Sequence, residues 1–124
     1  MESLKIVFKK PFSWIIFSLL LLITSGFSFH HGWSSYDEKK VLNVTGEILN
    51  SSYENPHGSI KLKAEDKTWN VILAPPSRME NRGLTMEMLK VGETATVVGY
   101  PHKEVAGEMR AERITISKKT TELR

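Results

Sequence analysis

The stretch that decides the fold is residues 42–48, Leu-Asn-Val-Thr-Gly-Glu-Ile. Leu42, Val44 and Ile48 alternate with polar residues, which is the period of a strand with one buried face. Gly46 stands within this apolar row. Because a glycine inside a strand indicates a bulge or a sharp bend, the sequence predicts a bent first strand.

Four further strands follow, with one helical insert among them. The Asn55-Pro56 pair marks a turn after the first strand. Alternation of apolar and polar residues then predicts strands over residues 60–64, 69–73, 94–100 and 109–116. In the last of these the alternation slips between Ala111 and Ile114, which predicts a bulge.

The insert between the third and fourth strands shows signals of helix ends. Ser77 and Glu80 have the spacing of a capping box, with Ser77 at the N-cap. Gly83 is placed to end that turn, and Thr85 to cap a second one. We therefore expect a short helical segment here and not a plain loop.

The order of elements is β-β-β-α-β-β. It predicts a mainly β protein, a five-stranded OB-fold-like barrel with a short helical insert between strands 3 and 4. A bent first strand suits such a barrel because it crosses both sheets, and a small open sandwich of the same strands is the alternative. We assign the barrel to residues 41–117 and expect residues 118–124, a polar tail, to fray.

The N-terminal segment has the pattern of an export signal. Residues 1–10 are basic, and the uncharged residues 12–29 have an apolar centre at residues 14–23. Gly26 and Ser28 are small residues suited to positions −3 and −1 of a cleavage site. We expect residues 1–28 to be a signal peptide and the protein to be exported and periplasmic. An uncleaved anchor that tethers it to the membrane is the alternative.

Composition limits the function further. The 124 residues make one domain, and the absence of cysteine excludes disulfides, thiolate metal sites and cysteine nucleophiles. Lys5, Lys9 and Lys10 against Glu2 supply most of the formal charge of +3. The mature chain is therefore nearly neutral, which argues against nucleic acid as a partner.

Four histidines are candidate metal ligands: His30, His31, His57 and His102. If the topology is that of an OB-fold, His57 and His102 fall on the two loops that border its ligand site. Cleavage after Ser28 would place His31 third in the mature chain, where it suits square-planar Cu(II). We expect a copper-type divalent ion at this end of the barrel, with His57 as the fixed ligand. Histidines in a solvated leader and in ordinary turns are the alternative.

The leader, residues 29–40, also carries aromatic and acidic side chains. Trp33, Tyr36 and Asp37 are candidates for a binding surface, and the two rings could instead pack the leader against the barrel. Trp69 alternates in register with Val71, which predicts a core position. No catalytic motif is found, so an enzymatic role is not indicated.

From Phe29 onward the chain resembles a family of small exported bacterial proteins known as domain of unknown function 6152. The residues that carry the resemblance are His30-His31-Gly32-Trp33, Tyr36-Asp37, Glu54-Asn55-Pro56-His57, Trp69-Asn70-Val71, Ala74-Pro75-Pro76-Ser77-Arg78, Arg82-Gly83-Leu84, Leu89-Lys90-Val91-Gly92-Glu93 and Gly99-Tyr100-Pro101. The resemblance implies export and supports the fold class. It implies no activity and no catalytic residue.

Two functions follow as expectations. The first is a non-enzymatic periplasmic binding module with copper as its one candidate cofactor. The second is a metal-free module of the bacterial envelope that binds a protein partner, for example by adding a strand to an exposed sheet edge. An OB-fold that binds oligonucleotides or oligosaccharides is a third possibility, and the nearly neutral charge speaks against its nucleic-acid form.

Overall fold

A computed structural model describes residues 32–124. The predicted signal peptide, His30 and His31 lie outside the described residues. The elements, in chain order, are a 3₁₀ turn Trp33–Ser35, β1 Leu42–Ser52, β2 Ser59–Lys63, β3 Thr68–Ile72, α1 Pro76–Asn81, a 3₁₀ turn Met86–Leu89, β4 Thr94–Pro101, β5 Glu108–Ile116 and β6 Lys119–Glu122.

Five of the strands close into a barrel. The sheet has the order β3-β2-β1-β4-β5-β6, and a parallel pairing of β3 with β5 closes the barrel. That pairing runs from Asn70 opposite Glu108 to Ile72 opposite Arg110. All other neighbours are antiparallel. The predicted OB-fold-like barrel with its insert between β3 and β4 is confirmed.

Strand β1 changes partners along its length. Residues 42–47 pair with β4, and residues 47–52 pair with β2. The change falls next to Gly46, where a Cβ atom would lie 2.6 Å from the carbonyl carbon of Lys63 and closer still to its oxygen. The predicted bend is confirmed, and glycine is required there because another strand's backbone occupies the place of a side chain. A register shift between Ile48 and Asn50 adds a bulge.

Strand β5 carries the predicted bulge. Val98 faces Arg113 and Gly99 faces Ala111, so Glu112 is the extra residue. Met109, Ala111, Ile114 and Ile116 all belong to the core. The bulge keeps these apolar side chains inside the barrel and leaves Glu108, Arg110 and Glu112 on its outer face.

The helical insert begins earlier than predicted. Pro75 is the N-cap of α1 and Pro76 lies in its first turn, so Ser77 is a helical residue and not the cap. The helix begins at Pro76 because the fixed φ angle and missing N–H of proline suit the first turn of a helix. Gly83, with φ of 81°, follows the helix end as predicted. Met79 from this helix is fully buried in the core.

The C-terminal segment does not fray, which corrects the prediction of a polar tail. It forms β6, which pairs with β5 from Arg113 opposite Glu122 to Ile116 opposite Lys119. Thr121 is 3% exposed and Leu123 1% exposed. Residues 118–124 therefore belong to the folded unit, Gly32–Arg124, and Leu123 contributes to its core.

Candidate functional site

The leader from Gly32 onward is part of the folded unit and lies on the outer face of β4 and β5. The Asp37 N–H donates to the carbonyl of Pro101 at 2.8 Å, and the Lys103 N–H donates to that of Ser35 at 2.9 Å. Tyr36 and His102 form an isolated antiparallel bridge. The leader is therefore held by backbone hydrogen bonds to the end of β4 and the loop after it.

The two leader rings pack against this face. Trp33 lies between the guanidinium groups of Arg110 and Arg124, at 4.3 and 4.2 Å from its ring centroid, and edge-on to Tyr100. Tyr36 is 1% exposed. The rings thus pack the leader against the barrel, and Tyr36 cannot line an open binding surface because its ring is buried.

Asp37, the third residue predicted for that surface, stays partly exposed. Its carboxylate accepts the Lys39 N–H at 3.1 Å and lies 4.0 Å from the Lys40 ammonium. Both partners belong to the leader itself, so Asp37 shapes the turn that leads into β1.

His102 joins the leader to the loop between β4 and β5. Its Nδ1 accepts the N–H groups of Glu104 and Val105 at 3.0 and 2.9 Å. Its Nε2 lies 3.6 Å from the buried carboxylate of Glu108, which also accepts the Tyr36 hydroxyl at 3.3 Å. Burial, and then the charge of Glu108, raise the pKa of Tyr36. The Nδ1 atom of His102 is thus occupied by two backbone N–H groups, and its Nε2 atom faces Glu108.

His57 and His102 lie on different connections of the barrel. His57 precedes Gly58, which exchanges backbone hydrogen bonds with Leu73 and Ala74 just after β3. His102 instead pairs through its N–H with Glu108, at the start of β5 and opposite the middle of β3. Within residues 32–124, no group of three or more His, Asp or Glu side chains is arranged to hold a metal ion.

A cleft opens elsewhere, between the first half of β1 and the β2–β3 hairpin. We call it the β1 cleft. Residues 43–45 form one wall, and residues 64–67 with Trp69 form the other. Its volume is about 450 Å³. Trp69 was predicted to be a core residue; it packs against the core but is only partly buried, because its ring also lines the cleft. The Lys67 ammonium lies 3.9 Å from its ring centroid.

The wall formed by β1 has an unpaired strand edge. Residues 42–46 pair with β4 alone, since the pairing with β2 begins at Glu47. The Ile48 N–H bonds to Glu93 on the β4 side. By the alternation of an antiparallel ladder, the N–H and C=O groups of Asn43 and Thr45 therefore point away from β4, toward the cleft.

Side-chain geometry supports this assignment. Thr45 and Thr96 face each other, and their hydroxyl oxygens are 2.8 Å apart. Such close side chains are typical of a pair whose backbone groups bond outward and not to each other. The outward groups of Thr45 thus face the β1 cleft.

In contrast to the edge of β1, carbonyl groups at the end of β6 accept hydrogen bonds from side chains. Arg82 Nη1 donates to the carbonyls of Glu122 and Arg124 at 2.8 and 3.0 Å, and Arg78 Nη1 donates to that of Leu123 at 3.1 Å. These arginines cover an edge that could otherwise pair with another chain. Among the described residues, no comparable side-chain cover is found over Asn43 and Thr45.

The sequence did not predict the β1 cleft, because Asn43 and Thr45 appear in it only as polar residues of an alternating strand. Gly46 was the one sequence feature that could have indicated the cleft. A strand that bends there separates from one neighbouring strand before it pairs with the next. Only the register shows which edge that change leaves open.

The closed barrel with this strand order defines the class of the protein as OB-fold-like. The chain belongs to the family of unknown function DUF6152, whose model matches residues 19–110. A chain in a crystal structure of TiaS in complex with an isoleucine tRNA and ATP is similar in fold. It has a TM-score of 0.48 and 17% identity, over 72% of this chain and 20% of that one.

This chain thus spans about a fifth of that protein's length. No curated protein gives a significant match to the sequence. Within residues 32–124, no helix is both long and apolar enough to cross a membrane.

Proposed function

We propose that the protein is an exported, non-enzymatic binding module that takes up an extended segment of a partner protein in the β1 cleft. The observation that carries the proposal is the unpaired edge at Asn43 and Thr45 beside that cleft. An added strand gains affinity from main-chain hydrogen bonds and specificity from pockets for alternate side chains. The outward backbone groups of Asn43 and Thr45 can form such hydrogen bonds, and the β1 cleft beside them offers space for a side chain.

The chemistry of the cleft favours a polypeptide over the other ligands of OB-folds. Glu65 and Asp66 line it, and carboxylates repel the phosphates of a nucleic acid. One face of the Trp69 ring is covered by Lys67, so it is not an open platform on which a base or sugar ring would stack. A backbone edge, in contrast, is recognised by another backbone.

Export is supported by the pattern of residues 1–28, which places the partner in the periplasm or on the envelope. The mass of the protein isolated from its own envelope tests this. A chain that begins at Phe29 or His30 supports cleavage, and a chain that begins at Met1 supports the tethered alternative. Recovery from the cytoplasmic fraction alone would overturn export.

The binding mode is tested with two substitutions at one position. Asn43→Pro removes the outward N–H without touching a bond to β4, whereas Asn43→Ala keeps the backbone and removes only the side chain. In pull-downs from envelope extract, we expect Asn43→Pro to weaken capture of the partner about tenfold and Asn43→Ala to change it little.

Circular dichroism should show that both variants keep the fold. Capture that survives Asn43→Pro unchanged, or that is lost when EDTA is added, would overturn the proposal.

Copper binding by the leader is the second candidate, and a feature of the sequence favours it. After cleavage behind Ser28, His31 would be the third residue, so its ring, the free amine and two backbone amides could hold one Cu(II) ion. Titration of the mature protein with Cu(II) tests this. We expect His31→Ala to abolish stoichiometric binding. A loss of affinity in His57→Ala would add His57 to the site as its fixed ligand. Equal binding by wild type and His31→Ala would remove this candidate.

A further inference from the structure

We infer that the segment bound in the β1 cleft carries a lysine or arginine, which Glu65 and Asp66 bind. These two residues lie in the exposed β2–β3 turn, which we call the mouth of the cleft. The inference rests on the proposed function and names the chemistry of its partner. It also identifies two residues that determine specificity.

The charges at the mouth are arranged unevenly. Glu65 and Asp66 form the turn between β2 and β3, and both are exposed. Within residues 32–124, neither carboxylate forms an ion pair or a hydrogen bond with another side chain. The neighbouring cation, Lys67, is directed to the face of Trp69 instead. The mouth thus presents two unpaired carboxylates, which complement a cation.

Strand geometry brings a side chain of the segment to these carboxylates. A strand paired with Asn43 and Thr45 would lie about 4.8 Å from β1, inside the space between β1 and the hairpin. Its side chains would alternate between the barrel side of the cleft, near Val44 and Trp69, and the outer side. A side chain of the bound segment that lies along the β2–β3 hairpin would reach the turn that contains Glu65 and Asp66.

The same cation has a second group to contact. Lys67 shows that the Trp69 ring accepts a positive charge. An arriving lysine or arginine competes with Lys67 for that ring, or adds to it at the ring edge. We therefore expect the fluorescence of Trp69 to change when the segment binds, and Trp69→Phe to abolish that change. Trp33 lies in the leader cluster, between Arg110 and Arg124, and supplies a constant background.

The experiment uses a phage-displayed library of short random peptides selected on the full mature protein. We expect the selected peptides to share extended, alternating sequences with a lysine or arginine at one position. For a synthetic peptide of the selected sequence, Glu65→Gln with Asp66→Asn should weaken binding about tenfold. The matched control, Glu87→Gln with Glu104→Gln, removes two exposed carboxylates that lie outside the β1 cleft and should not weaken binding.

A double-mutant cycle between protein and peptide tests whether the loss of affinity comes from the ion pair. Replacing the peptide's basic residue by glutamine should cost as much as the double substitution in the protein, and both changes together should cost no more than either alone.

The outcomes separate the inference from the proposed function. Selected peptides without a shared basic residue, or with affinity indifferent to Glu65→Gln with Asp66→Asn, overturn the inference. If Asn43→Pro still abolishes their binding, strand addition stands. Two outcomes overturn both the inference and the proposed function. In the first, the selected peptides bind the Asn43→Pro variant as well as the wild type. In the second, selection on the wild type yields no more binders than selection on the Asn43→Pro variant.

Discussion

Gly46 shows at the scale of one residue how the backbone of a second strand fixes the choice of amino acid. A Cβ atom there would meet the carbonyl group of Lys63, which is backbone and cannot move aside. We expect Gly46→Ala to lower the free energy of unfolding by about 3 kcal/mol, measured by urea denaturation. Gly32→Ala is the matched control, since its Cβ would meet only ordinary contact, and should change stability by less than about 0.5 kcal/mol. Equal effects of the two would contradict the close approach.

Tyr36 makes stability depend on alkaline pH. Burial and the charge of Glu108 raise its pKa in the folded state, whereas the unfolded chain has the ordinary value of about 10. The native state therefore holds its proton more tightly, and stability is full below that value and lost as the pH rises above it. We expect the free energy of unfolding to fall between about pH 9 and 12.

Tyr36→Phe should make that fall shallower, whatever it does to stability at neutral pH. Tyr53 and Tyr100, whose pKa values are also raised by burial, contribute to the remaining slope. An unchanged slope in Tyr36→Phe would show that its phenol is not the group responsible.

Strand β6 is the element that most enlarges the domain beyond its predicted limit. Leu123, directly after it, is 1% exposed, so Leu123→Ala removes buried apolar volume. We expect this substitution to cost about 2–4 kcal/mol in urea denaturation. Leu49, which is 41% exposed in β1, is the matched control, and Leu49→Ala should cost less than about 0.5 kcal/mol. A similarly small cost for Leu123→Ala would mean that the C-terminal segment frays after all.

The strands and the helix also show which parts of the fold can be predicted from the sequence. The bend at Gly46 and the bulge at Glu112 were predictable because each interrupts a local alternation of apolar residues. β6 was not, because four polar or charged residues, Lys-Thr-Thr-Glu, carry no such pattern and pair only once β5 is in place. The start of α1 was misplaced because two local signals, proline and a capping box, competed.

The whole molecule decides the features that no local pattern contains. His57 and His102 both fall on loops or strand ends, as expected. Which loop side chains meet around a closed barrel depends on strand tilt and stagger, which are properties of the whole sheet. The β1 cleft has the same origin: Asn43 and Thr45 face an open edge because β1 changes partner at Glu47. The strand order could therefore be predicted from the sequence, and the candidate site could not.

The leader also belongs to the whole molecule and not to an appendage, which can be tested by truncation. Residues 32–40 cover Glu108 and Arg110, each 7% exposed, and supply the buried Tyr36. A chain that begins at Gly32 should unfold in one transition with the same midpoint as a chain that begins at Phe29. A chain that begins at Val41 should lose about 3–5 kcal/mol, because it uncovers apolar surface and leaves Glu108 without its tyrosine partner. Equal midpoints for the two would place the domain boundary at residue 41, with the leader merely resting on the barrel.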